Sequence, residues 1–149
     1  MALEEGKIVN GNKVGVWTVY YANGNKRSVG SYEAGVRVGK WVYYYPNGNK
    51  EREGTFRNGL YEGLYTSYHR NGNKNYEGMY GPHRGKSTDG KKEGVWSSFS
   101  EDGETVWRLI TYKRGARAKP DEYPLGLCSM CREPLKDPDS DLCVACRRE

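Results

Sequence analysis

An all-β fold, an elongated antiparallel meander of stacked β-hairpin repeats, is what this sequence predicts, and three observations predict it. The first is a period. Gly15-x-Trp17, Gly39-x-Trp41, Gly63-x-Tyr65 and Gly94-x-Trp96 follow one another at steps of 24, 24 and 31 residues. Two further glycine series follow, one through Gly6, Gly30, Gly54 and Gly78 at steps of 24, the other through Gly11, Gly35, Gly59, Gly90 and Gly115 at steps of 24, 24, 31 and 25, with one extra residue before Gly115. Recurrence of this length is the mark of a stacked-repeat architecture. The second observation is the run after each Gly-x-Trp, as in Trp41-Val42-Tyr43-Tyr44-Tyr45. Aromatic and β-branched side chains suit a pleated surface better than a helix. The third is Asn-Gly or Asp-Gly at positions 23–24, 47–48, 71–72 and 102–103. Such dipeptides tolerate the positive φ of tight hairpin turns.

Composition agrees. Of 149 residues, 36% are apolar, too few for a thick aliphatic core, yet 13% are aromatic, too many for a disordered chain. Thirteen tyrosines and 20 glycines fit a thin sheet whose buried area comes from rings. The net charge of +5 arises from finely interleaved 24 basic and 19 acidic residues, as on a solvated surface.

Taken in order, the chain enters in mid-repeat at Gly6, and four hairpins follow over about residues 15–112. Eight or nine short strands are expected. Strand alternation places Trp17, Val19 and Tyr21 on one face and Val16, Thr18 and Tyr20 on the other. Stacked in register, Trp17, Trp41, Tyr65 and Trp96 form one row, packed against glycines of adjacent strands. Tyr20, Tyr44, Tyr68 and Phe99 form a second row, expected to be core. Tyr21, Tyr43, Tyr45 and Tyr61 vary between repeats and are candidates for an exposed partner-binding surface. The second strands are rich in charge, as in Lys50-Glu51-Arg52-Glu53. In the fourth repeat Leu109 stands where the spacing calls for glycine. The array of residues 6–115 is interrupted once, at 81–88. Residues 116–127, with two prolines, read as a linker, and 128–149 as a separate unit.

The repeat GxWxxYYxNGNKxxxGxYxxGxxxG resembles the MORN repeat, in the variant of bacterial YwqK-like antitoxins. The resemblance covers about residues 6–115. It implies successive β-hairpins and a role in binding proteins or lipid headgroups and in assembly. The antitoxin variant implies a toxin neutralised by direct contact.

The sharpest chemical signal is Cys128-x2-Cys131 with Cys143-x2-Cys146. Two such pairs complete a tetrahedron of thiolates around one ion, and four protein ligands leave no open position, so the ion expected is a structural zinc. The pairs are separated by 11 residues, shorter than the usual ribbon spacing but enough for a short hairpin. The tail resembles a small zinc ribbon. A rubredoxin-like iron site would use the same thiolates, and disulfides fit a cytosolic protein poorly.

In the interruption, Gly81 precedes Gly85-Lys86-Ser87 by one residue too few for a P-loop, which argues against nucleotide hydrolysis. The segment is nonetheless basic and glycine-rich, so His83, Arg84 and Lys86 are further candidates for partner contact. His69 occupies the strand position of Tyr21 and Tyr45 and reads as a packing variant. No Ser/His/Asp or Cys/His pairing is suggested, so the chain reads as a non-enzymatic interaction module. A protein is the expected partner. Nucleic acid, through the basic and aromatic surface and the zinc tail, is one alternative, and anionic lipid headgroups are another. The first residues lack the charged start and apolar run of a signal peptide, and no stretch is long enough to span a membrane. A cytoplasmic location is therefore expected.

Overall fold

The computed structural model describes residues 3–82 and 90–118. These residues hold ten strands in one antiparallel sheet, each paired with its neighbours in sequence. They are β1 (Glu4–Val9), β2 (Asn12–Tyr20), β3 (Lys26–Glu33), β4 (Val36–Tyr44), β5 (Lys50–Arg57), β6 (Leu60–Tyr68), β7 (Lys74–Tyr80), β8 (Lys92–Phe99), β9 (Val106–Lys113) and β10 (Ala116–Arg117). The count exceeds the expected eight or nine. The half-repeat before Trp17 forms a full strand, and the chain after Gly115 adds a two-residue one.

Two kinds of turn alternate. On one edge, two-residue turns join β5 to β6 and its equivalents. There Asn58 and Gly59 both take positive φ, 49° and 80°, the type I′ geometry that matches hairpin twist. On the other edge lie the Asn-Gly turns, and in them only the glycine is left-handed. Gly48 has φ 91°, whereas Asn47 is absent from that region.

The asparagines of these turns act through their side chains instead. Asn47 Oδ1 accepts the Asn49 amide (3.1 Å), which fixes its Nδ2 pointing outward. Asn47 Nδ2 and Asn49 Nδ2 then both donate to the carbonyl of Arg70 in the next turn, at 2.9 and 2.8 Å. Asn23 and Asn25 do the same to Pro46, and Asn71 and Asn73 to Glu101. A third donor runs beside each pair. Tyr21 Oη donates to Tyr44 O, and Tyr45 Oη to Tyr68 O. His69 Nε2 lies 3.0 Å from Phe99 O; a carbonyl only accepts, so Nε2 carries the proton. His69, expected as a packing variant at the position of Tyr21 and Tyr45, takes their hydrogen-bonding place in the ladder. Asp102 holds the ladder position in the last turn among the described residues, and its carboxylate is not a donor. It accepts the amides of Glu104 and Thr105 and the Thr105 hydroxyl within its own turn.

The core lies on one face only. Trp17, Trp41, Phe56 and Trp96 are buried, Trp96 completely. Each tryptophan ring lies over the glycine of the preceding strand. A Cβ built on Gly30 would stand 2.0 Å from the Trp41 ring, and one on Gly78 2.1 Å from Trp96. The indoles are anchored as well, Trp41 Nε1 to Ser31 O and Trp96 Nε1 to Met79 O. The Trp17 Nε1, over β1, has no partner among the described residues. The expected row of Trp17, Trp41, Tyr65 and Trp96 is present.

Two expectations need correction. Tyr20, Tyr44, Tyr68 and Phe99 form a row on the second face as expected, but they are only half-buried and are not core. No glycine offers that face a flat floor, and its neighbours are charged. Second, the residue opposite Trp96 is Ile110, not Leu109. The fourth turn is one residue longer, since Phe99 pairs with Val106 where Tyr68 pairs with Lys74. A side chain is tolerated at Ile110 because no later tryptophan among the described residues lies over β9.

Glu53 organises the second face. It receives Lys40 (2.8 Å), Lys50 (3.2 Å) and the Tyr68 hydroxyl (2.5 Å). Burial alone would raise its pKa, but hydrogen bonds from Lys40, Tyr68 and Lys50 outweigh burial and hold it at about 2. A carboxylate lowered on folding contributes stability above its unfolded pKa of roughly 4.3, and that contribution is lost as pH falls through the folded value. Glu53→Gln should therefore cost about 1 kcal/mol at neutral pH, given solvent screening. It should also flatten the loss of stability between pH 5 and pH 2 (roughly the span between the unfolded and folded pKa values). Urea midpoints at neutral and acid pH check this; an unchanged pH slope in the variant would refute the role.

Candidate functional site

The face that holds the core also carries the most distinctive surface. Second-strand aromatics Tyr32, Phe56, Tyr80 and Tyr112 alternate with the Gly-x-Trp row, because both sit on the same side of their pleats. The rings form a continuous chain. Tyr32 meets Trp17 and Trp41 edge-on, at 6.2 and 5.1 Å between centroids. Trp41 meets Phe56, Phe56 meets Tyr61 at 4.1 Å, and Tyr61 stacks on Tyr80 at 5.1 Å. Trp96 then joins Tyr80 to Tyr112.

Cations cover this chain. Lys13 Nζ stands 4.1 Å from the Trp17 ring centroid. The Arg37 guanidinium lies 5.3 Å from Trp41 and 5.4 Å from Phe56, and Arg52 4.2 Å from Tyr43. Lys92 is shared by Tyr76, Trp96 and Tyr112, all within 4.9 Å. A cation over a ring face is attracted by the ring quadrupole, by about 0.5–1 kcal/mol when exposed and more when desolvated. Lys13, Arg37, Tyr61 and Lys92 occupy one repeat position. Where the third repeat has Tyr61 instead of a cation, its ring comes within 2.9 Å of a Cβ on Gly54 and fills space that Tyr65, smaller than tryptophan, leaves open.

Between β1 and β5 the face is hollowed into a cavity of ≈ 470 Å³. The hollow has a local cause. The first repeat places Val19 and Ser28 where the second places Tyr43 and Arg52. Tyr32 and Trp41 line the floor, and Lys13, Arg27, Arg37 and Arg52 stand around it, with Glu4 and Glu51. Lys13 is paired with Glu4 (2.7 Å) and Arg52 with Glu51 (3.0 Å). Arg37 meets only rings and the Tyr43 hydroxyl (3.4 Å), and Arg27 lies 6.0 Å from the Tyr21 ring; neither has a carboxylate partner among the described residues.

The phenols here are not bases. Burial raises the Tyr43 hydroxyl even though Arg37 and Arg52 pull it down, and burial pushes Tyr61 up to about 12. Both are neutral near pH 7. Among the described residues no three His, Cys, Asp or Glu side chains gather as a metal site would require, and no helix is long and apolar enough to cross a membrane.

The sequence candidates fall as follows. Tyr43 lines the hollow, stacked on Trp41 at 6.0 Å. Tyr21 also lines it while its hydroxyl ties the first turn to the second. Tyr45 is half-buried with its ring 5.9 Å from Arg70, and Tyr61 is half-buried within the ring chain. His83, Arg84 and Lys86, like Cys128, Cys131, Cys143 and Cys146, lie outside the described residues. Sequence reasoning missed the cations of the ring face. The repeat register carried the signal, in the basic residues at 13, 37 and 92.

Three stretches, residues 13–34, 37–58 and 61–80, match the family described as MORN repeat variant. They cover the hairpins from β2 to β7, and β8 with β9 continues the same ring-on-glycine geometry beyond them. No curated protein matches the chain.

Proposed function

We propose that this array of MORN repeats is a non-enzymatic scaffold whose ring-and-cation face binds a partner protein. The observation that supports it most is the continuous chain of rings from β2 to β9, with cations held over the ring faces. Such a surface combines rigid aromatic area with oriented charge, the composition favoured at protein interfaces. MORN repeats are generally interaction modules, which supports the same reading.

The narrower reading is neutralisation of a toxin by direct contact, and it rests on the resemblance of the repeats to the antitoxin variant. The four-cysteine tail belongs to the same proposal as a structural zinc unit, supported by its two Cys-x2-Cys pairs, and a reducing cytoplasm as its location.

Affinity capture from native lysate, run in parallel with the full chain and with Arg37→Glu, tests the proposal. The expected result is one stoichiometric protein retained by the natural chain and lost by the variant, with zinc bound to the bait. Recovery of nucleic acid or lipid alone would displace the protein reading. A bait without metal would remove the zinc unit.

A further inference from the structure

We propose that the hollow between β1 and β5 is a docking site for an acidic peptide segment in extended conformation, whose carboxylates engage Arg27 and Arg37. The inference rests on the reading of this face as a partner-binding surface and names the chemistry of the partner.

Charge and shape argue for it. A cavity of ≈ 470 Å³ has room for a few side chains, within the size range of binding clefts. It arises where the repeat is broken in favour of small side chains, at Val19 and Ser28. Of the four cations around it, Lys13 and Arg52 are already neutralised by Glu4 and Glu51. Arg27 and Arg37 are exposed and meet no carboxylate among the described residues. A guanidinium held near a ring keeps its N–H edges toward solvent, where they match a carboxylate in bidentate fashion. The ring near Arg37 thus positions the donor before the ligand arrives, which lowers the ordering cost of binding.

A peptide fits better than a nucleic acid. Base stacking needs open aromatic faces, and here Trp17, Trp41 and Tyr43 are covered by Lys13, Arg37 and Arg52. Glu4 and Glu51 also line the hollow, and they would repel a continuous phosphate track. Carboxylates on a peptide can be spaced to avoid them.

The test uses the full chain and a fluorescein-labelled oligoglutamate peptide, read by polarisation at low salt. Binding should be saturable, weaken with salt, and fall by roughly tenfold or more in Arg27→Ser with Arg37→Ser. Val19→Tyr, which copies the second repeat into the hollow and leaves every charge in place, should weaken binding as well. Arg57→Ser removes one charge from the opposite face and should change little. Circular dichroism establishes that each variant is folded. Equal loss in Arg57→Ser would reduce the effect to net charge, and full binding by the double serine variant would show that the two arginines hold nothing; either result would overturn the proposal. Tighter binding of an oligothymidylate of matched charge, competing the peptide away, would also overturn it in favour of nucleic acid. If oligoglutamate does not bind but capture of a protein still depends on Arg37, this inference falls while the scaffold reading stands. If both fail, the face is not the binding surface.

Discussion

Gly30→Ala and Gly78→Ala should each destabilise the array by about 3 kcal/mol, whereas Gly54→Ala should cost about 1 kcal/mol. The backbone at these glycines is not left-handed, so the requirement is space rather than φ. At Gly30 a methyl group would stand 2.0 Å from Cδ2 of Trp41, and at Gly78 2.1 Å from the same atom of Trp96. Neither ring can retreat. Trp41 is 3% exposed and tied to Ser31, and Trp96 is 0% exposed and tied to Met79. At Gly54 the nearest atom is Cε1 of Tyr61, 2.9 Å away, on a half-buried ring that can shift by a few tenths of an ångström.

The rank order is the discriminating result. Thermal or urea unfolding of the three variants should separate them, with a midpoint shift of roughly 4–8 °C per kcal/mol. Because repeats couple mainly to their neighbours, Gly78→Ala should expose Trp96, seen as a red shift in fluorescence, before the first repeats unfold. A double-mutant cycle gives the mechanism. Trp41→Ala alone should cost about 3–5 kcal/mol by leaving a cavity. Adding Gly30→Ala to it should then cost almost nothing, since the clashing ring is gone. Additive costs would mean that the glycine serves some other purpose.

This dependence explains why the fold was so legible in the sequence. Gly6, Gly30 and Gly78 each receive the tryptophan ring of the next repeat, so Trp41 and Gly30 mark one contact seen from both sides, while the other two glycine series take the positive φ that turns and bends require. Other features were hidden for physical reasons. Both faces of the sheet carry aromatics, and every repeat keeps a ring at the position of Tyr20, Tyr44, Tyr68 and Phe99. Tyr44 and Tyr68 therefore looked as core-like as Trp41. Bulges obscured the register further, because β4 places extra residues between Val38 and Val42 opposite the short step from Val29 to Ser31. The one-residue lengthening of the fourth turn moved the partner of Trp96 from Leu109 to Ile110 in the same way. The candidate site was legible in its aromatic part, through Tyr21 and Tyr43. Its cationic part was not. Lys13 and Arg37 are scattered among interleaved charges, and Tyr61 breaks their row where the third repeat needs a ring more than a cation.

The asparagine ladder yields the second large effect. Asn47→Asp with Asn49→Asp should destabilise the array by about 2–3 kcal/mol at neutral pH. Both amides donate to one carbonyl, Arg70 O, at 2.9 and 2.8 Å. Aspartate removes both donors and turns negative oxygens toward that carbonyl. The double alanine variant removes the donors without the repulsion and should cost less, about 1–2 kcal/mol. Acid separates the two. Below the aspartate pKa, near roughly 4, a protonated carboxyl donates again. The aspartate variant should then regain stability relative to the alanine variant, which has nothing to titrate at these sites. The fourth turn is a control already present in the chain. Asp102 occupies the ladder position, with no later turn among the described residues to receive a donor, and it accepts three hydrogen bonds within its own turn. Asp102→Asn keeps an acceptor there and should shift stability by less than about 1 kcal/mol. If it proved as costly as the change at Asn47 and Asn49, the asparagines would matter for the shape of each turn. The smaller cost places their contribution between turns, where they keep successive hairpins in register and hold the ring face as one surface.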